Sequence, residues 1–277
     1  MSDAGGSGMA PDSTEPRPAH HRVQMLSLEG KPQHSVTLPL AFSQPIRFDL
    51  IRRAVVASHS RRRQPYGTSP TAGLRHSTEW SGKGKGVSRS PRLMDSMRGA
   101  QAPNTVGGRP AHPPRVERIW AKKINEHERH LAFSAALAAT RELKLARARG
   151  HKVPDGLHLP VVLETPMEGI LSAADARSLL ERLDLWEDVS RAQSHTHVRA
   201  GRGKRRGRVR RTPKSLLVVT SAAGQARGFR NLPGVEVVAV GRLGTEDLAP
   251  GGDPGRLTIF SQAAVESLRH RLEGAVT

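Results

Sequence analysis

The run Gly82-Lys83-Gly84-Lys85-Gly86 places two ammonium groups on a backbone with almost no side-chain bulk. Such a run can lie close against an anionic surface, because glycine lets the main chain approach and lysine supplies point charge. It is not a nucleotide loop. A dinucleotide fingerprint must leave a strand and open a helix, and no G-x-x-x-x-G-K-[ST] sequence occurs in the chain. A flexible basic linker is the plain alternative. A second segment, Arg199 to Lys214 (RAGRGKRRGRVRRTPK), carries nine Lys or Arg and no acid. Arg outnumbers Lys in both basic regions, and its planar fork grips phosphate oxygens bidentately.

Other chemistries find less support. Thirteen histidines raise the question of a metal, and His195-Thr196-His197 sets two imidazoles side by side, as does His20-His21. Neither pair has carboxylates beside it, so no metal site is expected. The chain has no cysteine. That excludes disulfides, thiolate zinc sites, iron–sulfur clusters and a cysteine nucleophile, and it fits a reducing cytosol. There is no convincing G-x-S-x-G elbow. Glu246-Asp247 is the adjacent acidic pair near glycines that an α/β enzyme acting on an anionic substrate would have to use. Turn or capping chemistry is the simpler use for it.

Charge decides between these classes. Lys and Arg number 44 against 25 Asp and Glu, a formal charge of +19, and the excess is concentrated rather than interspersed with acids. An anionic polymer is the expected partner. Aromatic residues make up 3% of the chain, too few for a sheet that reads single strands by stacking bases. Contacts to phosphate and to RNA shape are expected instead. A regulatory or chromatin-type binder would use the same arms on any duplex.

The basic segments need mounts. Residues 1–22 read as a solvated, disordered tail with no apolar stretch of signal-peptide length, and no later run approaches a membrane span. From Val23 the sequence VQMLSLEG alternates like a strand and stops at Gly30, and Ser35 to Leu38 is expected to pair with it. Pro45 opens a helix, with Ile46, Leu50, Ile51, Ala54 and Val55 on one face, running to about Ser58. Residues 59–115 then show neither strand nor helix period, and their acids are Glu79 and Asp95. So long an irregular stretch needs a partner to fix it. One helix is expected from Asn125, capped with Glu128, to Gly150. A strand at Leu159 to Leu163 and a helix opened by Ser172 with Asp175 come next, then strands at Leu216 to Val219, Val235 to Val240 and Leu257 to Phe260. A helical turn at Gly224 to Asn231 and a helix after Ser261 are interleaved, and Thr245 to Arg256 reads as a shaped loop at the sheet edge. Near-continuous apolar strands between helices define an α/β fold with a mainly parallel sheet flanked by helices on both faces. It comprises residues 23–58 and 116–277, with a long extended basic loop inserted after the first helix.

Four stretches carry a resemblance. They are PIRFDLIRRAVVASHSRRRQPYG (Pro45 to Gly67), AGLRHSTEW (Ala72 to Trp80), GGRPAHPPRVER (Gly107 to Arg118) and TEDLAPGGDPGRLTIF (Thr245 to Phe260). With them the chain resembles the large-subunit ribosomal protein L-four family in its archaeal and eukaryotic form, over nearly all of residues 23–272. The resemblance implies a non-enzymatic structural constituent of the large ribosomal subunit, cytoplasmic within the ribosome. It implies an α/β domain on large-subunit rRNA and a loop, residues 59–115, threading to the wall of the nascent-peptide exit tunnel. Gly82, Lys83, Gly84, Lys85 and Gly86 would form the tip at the tunnel constriction, beside ribosomal protein twenty-two. Arg61, Arg62, Arg63, Arg75, Arg109 and His112 would anchor the loop in rRNA, joined by Tyr66, Trp80, Arg89, Arg92, Arg98 and Arg115. The second RNA-binding set is Arg199, Arg202, Lys204, Arg205, Arg206, Arg208, Arg210, Arg211 and Lys214. The implied partners are rRNA, neighbouring large-subunit proteins and, transiently, the nascent peptide, with no membrane. No cofactor is expected, and magnesium would enter only as an rRNA counterion. A loop with so few apolar residues cannot offset its own ordering entropy, so folding on binding follows.

Overall fold

The computed structural model describes residues 21–273, so the expected tail lies outside the described residues up to position 20, and His20 with it. In chain order the elements are β1 (Arg22–Leu26), β2 (Pro32–Thr37), α1 (Phe48–Arg61), β3 (Thr78–Trp80), β4 (Pro91–Leu93), α2 (Glu126–Ala139), α3 (Leu143–Ala148) and β5 (Val161–Leu163). They continue with α4 (Ala173–Arg182), α5 (Trp186–Ser194), β6 (His197–Val198), β7 (Arg210–Arg211), β8 (Leu217–Thr220), β9 (Glu236–Ala239), α6 (Thr245–Leu248), β10 (Thr258–Ser261) and α7 (Gln262–Glu273). The chain divides into two compact units, one formed by residues up to Ser58 with those from Lys123 onward, the other by His59–Lys122.

The first unit is built on a six-stranded sheet in the order β2-β1-β5-β10-β8-β9, antiparallel between β1 and β2 and parallel elsewhere. Its central strands are buried on both faces, which is why they read as unbroken apolar runs. The strand period of 2 sorts their side chains between two cores. Val162, Leu217, Val219 and Phe260 face a layer holding Phe133 and Leu137 of α2, Val265 and Leu268 of α7, and Ile51 of α1. Val161, Leu163, Val218 and Ile259 face the layer of Leu179 and Leu180 of α4 and Val189 of α5. This is the doubly covered α/β architecture that the sequence predicts.

Several boundaries differ, each for a local reason. The first helix starts at Phe48 rather than Pro45, because Ile46 packs on the core before the helix begins. It runs on to Arg61, whose cation then complements the carbonyl end of the helix. The long helix expected from Asn125 to Gly150 is two helices. Thr140 turns its hydroxyl back to the carbonyl of Leu137 at 2.7 Å and ends α2, and α3 restarts after Glu142. Asn125 caps α2 by accepting from the His127 amide at 3.2 Å, while Glu128 pairs with Arg53 at 2.8 Å instead of closing a capping box. Helix α5 stands where the sequence predicts no element, and the stretch Thr245 to Arg256 contains α6 and a fully buried Arg256.

The second unit corrects the expectation that residues 59–115 lack regular structure. Strands β3 and β4 pair antiparallel, Thr78 opposite Leu93 and Trp80 opposite Pro91. The hairpin is held by turns rather than by apolar periodicity: Leu93 and Ala100 amides donate to the Arg98 and Pro91 carbonyls at 2.8 and 2.9 Å. The unit also continues past residue 115 to Lys122, where the Lys122 amide donates to Ser60 Oγ at 2.9 Å. Its buried side chains among the described residues are Ser60, Ser81 and Ala100, so it has no hydrophobic core of its own.

Candidate nucleic-acid interface

The 59–122 unit carries thirteen Lys and Arg against the three acids Glu79, Asp95 and Glu117. Arg61 closes α1, and Arg62 and Arg63 follow it in the exposed turn. Tyr66 stacks on Trp120 with ring centroids 5.5 Å apart and planes inclined by 23°. The Arg118 and Arg63 guanidinium carbons lie 4.5 and 5.6 Å from the Trp120 ring centroid. Sequence patterning does not single out Trp120 and Arg118 as site residues. They stand at the end of the stretch GGRPAHPPRVER and just beyond it, where a lone tryptophan among cations is the available signal.

Arg75 donates to Thr71 Oγ1 at 3.2 Å, and Trp80 is exposed at the end of β3. The glycines of the hairpin loop have left-handed φ values, +73° at Gly82, +80° at Gly84 and +67° at Gly86, and a Cβ there would meet open space. Their requirement is thus conformational, and it leaves Lys83 and Lys85 exposed between them. Arg89, Arg98, Arg109, His112 and Arg115 are also exposed. Arg92 is different: its guanidinium donates to the Met97 carbonyl at 2.8 Å and to Ser88 Oγ at 3.1 Å, so it closes the hairpin turn.

The second basic segment folds into a small ribbon. β6 pairs with β7, and a turn of 3-10 helix over Arg202–Arg206 ends at Gly207 with φ +78°. Arg202, Lys204, Arg205, Arg206, Arg208, Arg210 and Arg211 are exposed, while Arg199 is half-buried. Lys214 is recruited to the sheet by an ion pair with Glu236. His195 Nδ1 lies 2.9 Å from the Arg191 carbonyl and His197 Nδ1 3.1 Å from the His195 carbonyl, so both imidazoles are engaged locally. Among the described residues no group of three or more His, Cys, Asp or Glu side chains converges as a metal ion requires.

Asp188 fixes where this ribbon enters the sheet. Fully buried on α5, it accepts from His151 Nδ1 at 3.0 Å, the Lys152 amide at 3.0 Å, Arg191 Nε at 2.9 Å and Ser215 Oγ at 2.7 Å. Burial pushes its carboxyl up, but the donors from His151, Arg191 and Ser215 outweigh that and hold the pKa at about 2. A carboxyl with a folded pKa below its unfolded value of about 4 adds stability above that pH and loses it as pH falls towards 2, here about 2 kcal/mol. Urea unfolding followed from pH 7 to pH 2 should show this loss in the wild-type chain. Asp188→Asn should be less stable by about that amount at neutral pH and flatter across the acid window. Identical acid slopes for the two proteins would contradict the assignment.

The acidic pair near the glycines is used structurally. Asp247 accepts from the Gly244 amide at 2.9 Å at the start of α6, and Glu246 accepts from Ser58 Oγ at 2.6 Å. Burial raises the Asp247 carboxyl above its ordinary value. This is the capping and turn chemistry that competes with the enzyme reading.

Comparison with known proteins identifies the family. The family model described as "Ribosomal protein L4/L1 family" matches residues 36–271. A protein named "Large ribosomal subunit protein uL4" from Methanopyrus kandleri is 45% identical over 254 residues, covering 90% of this chain and 98% of the relative. The protein of that name from Thermoplasma acidophilum is 42% identical over 248 residues (90% and 97%), and that from Halobacterium salinarum 41% over 251 residues (90% and 100%). The family match takes in the sheet from the end of β2 onward, the 59–122 unit and the second basic ribbon together, and the chain belongs to the ribosomal protein L4/L1 family.

Proposed function

We propose that the chain is a structural constituent of the large ribosomal subunit, whose two basic segments bind large-subunit rRNA while the α/β unit serves as a rigid mount. Family membership makes it a structural protein and not an enzyme. The observation that carries the RNA reading is the 59–122 unit itself, with many exposed cations, three acids and no apolar core among its described residues. Such a segment gains its ordering free energy from outside, and counterion release at rRNA phosphates supplies it. In this reading Gly82 to Gly86 reach the nascent-peptide tunnel, ribosomal protein twenty-two is a neighbour, and magnesium enters only with the rRNA. No helix among the described residues is long and apolar enough to cross a membrane.

The test compares the free chain with the chain in large subunits by hydrogen exchange. Residues 59–115 should exchange fast in the free protein and slowly in the subunit, while Leu216 and β8 are protected in both. Equal strong protection of both regions in the free protein would defeat the account. A chain that binds random RNA or DNA as tightly as large-subunit rRNA at physiological salt would point to a general nucleic-acid binder.

A further inference from the structure

We infer that Tyr66, backed by Trp120, forms a stacking platform for one unpaired nucleobase of the RNA, a contact of a different kind from the phosphate contacts that the charge predicts; the inference rests on the RNA-binding reading above. Aromatic residues are scarce in this chain, yet its single Tyr and one of its three Trp meet face to face in the basic arm. Tyr66 remains 62% exposed although it is stacked on one side, so ring surface stays available. An exposed aromatic ring costs hydration free energy unless something covers it.

The platform is held by close backbone contacts. A Cβ on Gly67 would lie 2.8 Å from both the Pro114 carbonyl oxygen and the Val116 nitrogen, so two chain segments meet there with room for glycine alone. The Thr68 amide donates to the Pro114 carbonyl at 3.1 Å beside it. These contacts bring Tyr66 and Trp120 together in the folded arm, so the ring is set in place as the arm orders on the RNA. The surroundings select the ligand's chemistry. Two guanidinium groups, Arg63 and Arg118, flank the tryptophan and suit the phosphates on either side of a stacked base. Trp120 Nε1 is buried without a partner among the described residues, so the indole supports the stack through its ring face and not through its N–H. An apolar peptide would cover the ring but has no use for the two cations. An unstacked nucleotide uses the ring and the cations together.

The experiment titrates the full-length chain with transcribed large-subunit rRNA across a salt series, comparing Tyr66→Phe with Tyr66→Leu. Leucine keeps apolar packing on Trp120 but has no π face. Phe should bind as the wild type does, and Leu about tenfold more weakly with an unchanged salt slope, since stacking releases no counterions. Transcripts carrying 5-iodouridine should photo-cross-link to Tyr66 in the wild type. Leu binding as well as Phe, or a weakening matched by a shallower salt slope, would overturn the platform while leaving rRNA binding intact. A wild-type chain that does not bind the rRNA at all would overturn the parent reading, and the platform with it.

Discussion

Affinity of the full chain for large-subunit rRNA should fall by about 10³- to 10⁵-fold between 50 and 200 mM salt, the response of a protein that neutralises six to ten phosphates. On the proposed reading the exposed ribbon supplies much of that number. Replacing Arg202, Lys204, Arg205, Arg206 and Arg208 together by Gln should reduce the slope of log affinity against log salt by about 0.7 to 0.9 for each phosphate no longer neutralised. At 0.1 M salt the accompanying fall in affinity should reach about 10³-fold or more. Unfolding stability should hardly change, because the five side chains are exposed on a turn outside the two sheet cores. Lys214 makes the contrast. Its ammonium is paired with Glu236 on β9, so Lys214→Gln should lower stability modestly and leave the salt slope nearly untouched. Filter binding over a salt series reads both slopes. A fivefold Gln variant with the wild-type slope would show that the ribbon does not touch phosphate.

The contrast between the ribbon and Lys214 also marks what is legible in the sequence. Val161–Leu163, Leu217–Thr220 and Thr258–Ser261 are readable as strands because a strand covered on both faces has no polar side to interrupt its apolar run. Helix α4 is readable from the stripe of Ala176, Leu179 and Leu180 below the Ser172 cap. Helix α5 escapes because it is short, and two of its buried positions, Asp188 and Ala192, do not read as a stripe. Asp188 looks like any surface acid in the sequence, since the partners that bury it come from residues 151, 152 and 215, remote along the chain. The same holds for the Tyr66–Trp120 stack, whose rings are brought together by a return of the chain that no local pattern encodes. Charge, being additive along the sequence, announces a polyanion. Geometry, being relational, separates the cations that are free to bind from those that hold the fold. The placing of the cations in a ribosome comes from the four family-like stretches, not from charge.

Arg256 is the cation whose removal should cost the fold most. Its side chain is wholly buried, and its donors reach four acceptors. Nε donates to the Ser215 carbonyl at 3.1 Å, Nη1 to Glu236 Oε2 at 2.7 Å and the Asp247 carbonyl at 2.8 Å, and Nη2 to the Leu216 carbonyl at 3.3 Å. One guanidinium therefore joins the entry to β8, strand β9 and helix α6. Burial lowers its pKa, but an arginine so paired remains charged. Glu236 is likewise held below the usual carboxylate range, with burial opposed by the hydrogen bonds and charges of Lys214 and Arg256. Arg256→Ala would leave three carbonyls and one carboxylate oxygen short of a donor, and a cavity beside them, so a destabilisation of about 3 to 5 kcal/mol is expected in urea unfolding. Arg256→Met leaves the same four acceptors without their donor but fills the volume, so it should be less harmful than Ala by about the cost of the cavity. Arg256→Lys should not rescue, since one ammonium cannot reproduce the planar fork that reaches β8 and β9 at once. If Ala and Lys both cost under about 1 kcal/mol, this hub is not what ties the sheet together. At a temperature where Arg256→Met stays folded, its rRNA binding should keep the wild-type salt slope, because this cation is enclosed by protein acceptors and lies out of reach of any phosphate.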